Sequence, residues 1–428
     1  MAVGLLLSPD ARERLAPYLL LYLAAAAISL LAARILSASG PGFLLLCGAL
    51  LRATLLARAP DLSDDAFRYL WDGSVAARGI SPYAFAPDDA AVSEIAPDLR
   101  PKVAHRDIRS VYPPVAQAAF RVFGAGGNLL AWKAFAGAAD LSVVALLWTA
   151  GGAGAGFAAA LYAFHPLPVT ETAGEGHVDS LGVALLLASL LHVARVRRAL
   201  AGIAFAMSVL TKYVSLAAAI PLLRRSRFKF LAAVAVTAAV LWLAASRPGA
   251  SPLGGLGQYA TRWDFNSPVY LAAARLMDAA EIPERAKGVF LDLKERWHHP
   301  DWTRGVFPYF YTAFFARALL GVVLAALLAW IGLRVADLET AVFASLAALL
   351  ILSPTLYPWY LLWILPFAAR KREPAFLFLS FAIPLSYALL YPVPGVSRAL
   401  LYACEFAPFA LLGVWTLVRS ARGLRTED

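Results

Sequence analysis

What most constrains this chain is a succession of apolar runs, each about the length of a membrane helix and separated by short polar or basic stretches. They lie near 16–36, 41–58, 129–150, 154–170, 180–194, 199–211, 213–223, 229–245, 311–333, 338–353, 359–369, 375–391 and 398–418. Apolar residues occupy 61% of the 428 positions and charged residues 15%, where a soluble domain carries about 25% charge. At about 20 residues per span, that apolar content fills at most about thirteen helices. A soluble enzyme, a disordered protein and a single-span receptor are excluded. The expected fold is an all-α polytopic membrane protein, one integral membrane domain over 1–428 with about 12–13 transmembrane helices and further helices in external loops. Cys47 and Cys404 both sit in apolar runs, which argues against a disulfide framework or a thiolate metal cluster. The opening run Met1 to Leu7 is too short for a cleavable signal peptide and meets Pro9 and Asp10 at once.

The net charge of +10 reads differently once its placement is considered. Arg195, Arg197 and Arg198 form one basic group; Arg224, Arg225, Arg227 and Lys229 form a second; Arg370, Lys371 and Arg372, then Arg419, Arg422 and Arg425, complete the set. All fall on one side of the predicted spans, which the positive-inside rule makes cytoplasmic together with the C-terminus. Nucleic acid is therefore not the expected partner; membrane lipid is. Thirteen spans put the N-terminus outside, with Arg12 and Arg14 against the rule. If 41–58, which contains Arg52, is instead interfacial or re-entrant, there are twelve and the N-terminus is inside.

The opposite face receives two long connections, 59–128 and 246–310, and loops of that length usually carry function. Five of the six histidines (His105, His165, His177, His298, His299) and the amides Gln117, Asn128, Gln258 and Asn266 lie on or near this side. In the first loop, Ser63 is placed to N-cap a helix whose first turn holds Asp64 and Asp65, with Asp72 two turns on. These acids either decorate a helix start or act at the membrane face, as a general base toward a hydroxyl or as a pair sharing an acceptor or a cation.

The paired acids after an early span, Gly79-Ile-Ser81-Pro82-Tyr83 and Tyr112-Pro113-Pro114 are joined by further motifs down the chain. These are Phe164-His165-Pro166, Glu171 through Glu175, His177 and Asp179, Thr211-Lys212-Tyr213, and Ser353-Pro354 with Tyr357-Pro358-Trp359-Tyr360. Together, in this order and on one side, they resemble the GT-C polyprenol-phosphate-sugar-dependent glycosyltransferases, closest to their mannosyltransferase branches. The resemblance implies that an acid of the first external loop, Asp64 or Asp65, is the catalytic base. It also implies that the sugar, mannose by resemblance, comes from a polyprenyl phosphate. Sugar nucleotides are cytoplasmic, and no Gly-rich phosphate loop follows a strand pattern here, so a lipid-borne donor also follows from an outward-facing site.

Four other features bear on that expectation. Glu171, Glu175, His177 and Asp179 sit within nine residues; they read as a polar turn, a sugar or phosphate hydrogen-bonding site, or ligands for a divalent cation, with no metal or other cofactor expected. Lys212 interrupts apolar sequence between two short runs and either snorkels to the interface or, with Tyr213, binds the donor phosphate. Arg68, Arg304 and Arg398 are its candidate partners and equally candidate headgroup ligands. Tyr83, Tyr112, Tyr357 and Trp359 are aromatic candidates for substrate contact or for an interfacial belt. The stretch 270–297 has the spacing of helices lying on the outer membrane surface.

The expected activity is inverting transfer of a hexose from the lipid donor to an external lipid or glycan hydroxyl, in a bacterial plasma (inner) membrane, with the site on the periplasmic side. The competing function is a transporter or flippase of lipid-linked saccharides, which broken helices at Lys212 would suit.

Overall fold

The structure is a computed structural model that describes residues 11–225, 228–247, 249–297, 305–306 and 309–421. Among these the chain is helical with no strand; only isolated bridges, Arg247 with Ala250 and Phe265 with Thr355, depart from that. Five helices are long and apolar enough to cross a membrane on their own: Leu15–Leu36, Leu129–Ala150, Phe228–Ala245, Thr312–Arg334 and Arg398–Arg419. Leu20, Val240, Val322 and Leu411 point outward from them and are more than half exposed, as side chains facing lipid should be.

The remaining apolar runs are short or broken, and the breaks have chemical causes. Ala155–Phe164 stops at His165, before Pro166; Pro358–Trp363 and Leu365–Lys371 each begin at or next to a proline. Proline lacks the N–H that would continue a helix and biases its predecessor toward extended backbone. Arg198–Val209 ends before Lys212, whose φ of −157° and ψ of 135° are extended. The helix that leads to Lys212 is only 12 residues long, or about 18 Å at 1.5 Å per residue. That is well short of a hydrocarbon core about 30 Å thick, so this helix by itself does not span one.

The predicted sidedness appears as contacts. Arg198 donates to the Arg225 carbonyl at 2.9 Å, Arg224 to the Gly332 carbonyl at 3.4 Å, and Arg370 to Glu339 at 2.8 Å and to the Gly151 carbonyl at 3.3 Å. The basic connections thus share one face. At the other face Arg12 donates to Asp64 at 2.5 Å and to the Asp61 carbonyl. Residues 11–14 therefore stand on the acid side; Leu15–Leu36 is long and apolar enough to cross a membrane, whereas Pro41–Leu56, at 16 residues, is shorter. The position of Arg12 is accounted for by Asp64, which meets its charge. Arg52, the reason for doubting the second span, is 2% exposed and reaches the fully buried Asp140 at 2.5–2.6 Å. Tyr162 and Ser180 donate to the same carboxylate at 2.8 Å, so one ion pair ties four helices together.

Breaking a buried pair by deleting one partner costs about 3–5 kcal/mol, because an uncompensated charge is left behind. Asp140→Ala should therefore lower the thermal midpoint of the purified protein sharply, and Arg52→Leu with Asp140→Leu should recover most of the loss. A midpoint unchanged in Asp140→Ala would contradict the pairing.

Candidate active site

The segment bearing the acids is held from below. Glu175, 4% exposed, accepts the backbone N–H groups of Asp61, Leu62 and Ser63 at 2.9, 2.8 and 3.0 Å through one carboxylate oxygen. Lys133 donates to the Leu55 carbonyl at 2.7 Å and to the Arg58 carbonyl, closing the end of the preceding helix. Glu175, expected at the donor site, anchors this backbone and does not line the cavity described below. The N-cap of the helix Asp65–Ala77 is Asp64 rather than Ser63; Ser63 instead accepts the Asp65 N–H at 3.3 Å. Gly73 lets this helix approach Phe120, whose carbonyl oxygen would lie 2.2 Å from an added Cβ.

From this mount Asp64 and Asp65 diverge. Asp64, 37% exposed, pairs with Arg12, whose guanidinium lies 5.2 Å from the Tyr391 ring centroid. Asp65 turns inward: its Oδ2 accepts the hydroxyls of Tyr69 at 3.3 Å and Tyr112 at 3.2 Å. Burial raises the Asp65 pKa above the ordinary carboxylate value, and the Asp179 charge adds to this; Lys212 and the two tyrosine hydroxyls act in the opposite sense. The carboxylate is ionisable, basic for its kind, and still reachable from the cavity.

Across the cavity, Lys212 donates to both oxygens of Asp179, at 2.8 and 3.0 Å, and lies 4.5 Å from the centroid of the Tyr360 ring. Asp179 is fully buried and also accepts the Trp363 indole N–H at 2.7 Å. Gly182 makes that possible, since a Cβ there would meet the Trp363 ring at 2.4 Å. Asp179 therefore holds the lysine and does not itself line the cavity. An ammonium has three donors, so one direction of Lys212 is left for the cavity.

The cavity itself measures about 580 Å³. Asp64, Asp65, Arg68, Tyr112, Lys212, Tyr213, Tyr357 and Trp359 line it. Leu256, Leu349, Leu350 and Leu390 supply an apolar wall. Arg68 is held by Asp72 at 2.8 Å and the Ile108 carbonyl at 2.9 Å, which spends most of its donors on the loop; its Nη2 has no partner. Asp72 is fully buried, bonded also by Ser110 at 2.6 Å and Gln117 at 2.7 Å, so it is structural.

Other expected contacts are absent. Tyr83 donates its hydroxyl to the Tyr112 carbonyl at 2.8 Å and stays behind the wall. His177 is fully buried beneath Asp65. Arg398 begins the exposed end of the last helix, away from the cavity lining. Arg304 lies outside the described residues. Glu171, Glu175, His177 and Asp179 do not converge as a ligand set, and no other group of three or more such side chains does so among the described residues.

Sequence reasoning missed Arg12, Tyr69, Tyr259 and Tyr391. Arg12 is 52 residues from its partner Asp64, and Tyr259 shares a hydroxyl–hydroxyl contact with Tyr360; no local pattern signals either.

A helical bundle with five long apolar helices, and with a cavity and many of its polar groups gathered at the acid face, defines an integral membrane protein. Comparison with sequence families gives the chemistry. The family described as "Alpha-(1->6)-mannopyranosyltransferase, N-terminal domain" matches residues 18–245, more than half of the chain, and the chain belongs to this GT-C mannosyltransferase family. It is a glycosyltransferase of the mannosyl-transferring kind. Comparison with curated proteins and with solved structures found no match. The matched residues include both acids, the 171–179 connection and Lys212, and stop before Tyr259 and Tyr357.

Proposed function

We propose that the cavity transfers mannose, with inversion, from a polyprenyl-phosphate donor to a hydroxyl of a lipid or glycan acceptor on the external side of a bacterial plasma membrane. The observation that carries this reading is that a partly buried carboxylate, Asp65, and a tethered ammonium, Lys212, line the same cavity, which has an apolar wall. Asp65 takes the proton of the acceptor hydroxyl, and the freed oxygen attacks the anomeric carbon. The bond from that carbon to the phosphate oxygen breaks with its electron pair, leaving polyprenyl phosphate. Preorganised charge near the leaving group stabilises the negative charge that grows there, a role that suits Lys212, with Tyr213 and Arg68 Nη2 as further donors. The leucines suit the first isoprene units. Asp64 with Arg12, and the rings of Tyr357 and Trp359, form the acceptor and sugar walls. Lysine supplies the positive charge in this scheme, so no metal is required.

The test is to incubate the purified protein in lipid nanodiscs with polyprenyl-phosphate-mannose and mannoside acceptors. We expect an α-linked mannosylated product that still forms in the presence of EDTA. Turnover of a nucleotide-mannose but not of the lipid donor would overturn the donor assignment. Vectorial movement of labelled lipid across vesicles without transfer would favour the transporter.

A further inference from the structure

The His177 ring is enclosed and yet makes no hydrogen bond. It is fully buried, its ring stacks on Trp359 with centroids 3.9 Å apart and planes 17° apart, and neither ring nitrogen has a hydrogen-bond partner. Buried polar atoms are nearly always paired, so a pair of orphans on one ring calls for a reason. Each nitrogen faces a carboxylate. Nδ1 lies 3.7 Å from Asp65 Oδ2, and Nε2 lies 3.5 Å from Glu171 Oε2. Both distances are just beyond hydrogen-bond length. Such contacts at catalytic groups are often long in the free enzyme and tighten when substrate is bound.

We propose that His177 is a positioning residue for the transfer reaction: it donates Nδ1–H to Asp65 and accepts at Nε2 from the acid proton of Glu171, so that Asp65 keeps its spare oxygen turned to the acceptor. The inference rests on Asp65 being the base. The groups around the imidazole are consistent with that polarity. Asp65 faces it from the first-loop helix and Glu171 from its own connection, and the Lys212 charge acts on it from the broken helix beyond. Glu171 is fully buried and accepts the Tyr387 hydroxyl at 3.0 Å on both oxygens. Burial raises the Glu171 pKa, with Glu175 adding to it, which favours the protonated acid as donor. Burial lowers the His177 pKa, and the Lys212 charge acts in the same direction, so the imidazole is neutral and has one donor and one acceptor. The stack continues outward from Trp359 to Tyr357 and Phe265, with centroid separations of 4.4 Å at each step. The ring is thereby braced from the second external loop, while its nitrogens lie between Asp65 and Glu171.

The deciding variant is His177→Phe, which keeps the stack on Trp359 and removes both nitrogens. Losing the Nδ1–H donor destabilises ionised Asp65, so the acid limb of kcat/KM should move up by about one pH unit, with kcat down at least tenfold. His177→Asn, whose amide can still donate toward Asp65, should leave the limb where the wild type has it. Glu171→Leu should move the limb in the wild-type background and add nothing in His177→Phe, the coupling expected of groups acting in series. The protonated-carboxyl infrared band that disappears in Asp65→Asn reports the same ionisation without turnover, and should titrate higher in His177→Phe. A wild-type limb and band in His177→Phe would overturn the proposal. If His177→Phe does not fold, a limb shifted in His177→Asn as far as in Glu171→Leu would overturn it instead. If the wild type fails to transfer from the lipid donor while the band still shifts, the functional reading fails and the positioning role stands.

Discussion

Asp65→Asn should abolish mannosyl transfer to within detection, a loss of about a thousandfold or more in kcat, since a positioned general base contributes about 10²–10⁴-fold. The fold should survive, because Tyr69 and Tyr112 can still donate to the amide oxygen that replaces Oδ2. Asp64→Asn is the informative companion. Its partner Arg12 is 36% exposed and Asp64 itself 37%, and ion pairs that open to solvent contribute only about 0–1 kcal/mol, so a loss of about tenfold or less is expected. The pH profile separates the two acids further. A base works ionised, so kcat/KM falls as pH drops through its pKa; burial raises that of Asp65, so the acid limb should lie above the ~3.9 of an unperturbed aspartate. Full activity in Asp65→Asn with loss in Asp64→Asn would transfer the role to Asp64.

The second large effect is expected at Lys212. Removing one preorganised group that meets developing charge typically costs about 10²–10³-fold in kcat, and Lys212→Met should fall in that range with KM for the lipid donor also raised. It should also destabilise the protein, because Asp179 is fully buried and would keep only the Trp363 N–H. Adding Asp179→Asn removes that uncompensated charge. The double variant should regain thermal stability without regaining activity, which distinguishes a chemical role of the lysine from a structural one. Recovery of turnover in the double variant would mean that the ammonium serves only to neutralise Asp179.

Much of the site was legible because membrane burial makes polar residues conspicuous. Lys212 stood out as a charge inside apolar sequence, and the acids as a pair at a span's end. Their partners were harder to read. Glu175 and Asp179 sit four residues apart in one connection, so they looked like one substrate-binding cluster; the fold turns Glu175 toward three backbone N–H groups and Asp179 toward Lys212. His177, between them in sequence, ends up under Asp65 instead. Arg52 read as a flaw in a span because its partner Asp140 lies 88 residues away. Arg12 read as a breach of charge sidedness for the same reason.

By itself the sequence determined the solvent, the helical class and the face on which the polar groups collect. Those follow from composition and spacing, since lipid admits only backbones that satisfy their own hydrogen bonds. Only the tertiary structure decided which acid turns inward and which charges neutralise each other inside the bundle. Those outcomes depend on pairing between residues far apart in the chain, where low dielectric makes each unpaired charge costly and thereby selects one arrangement.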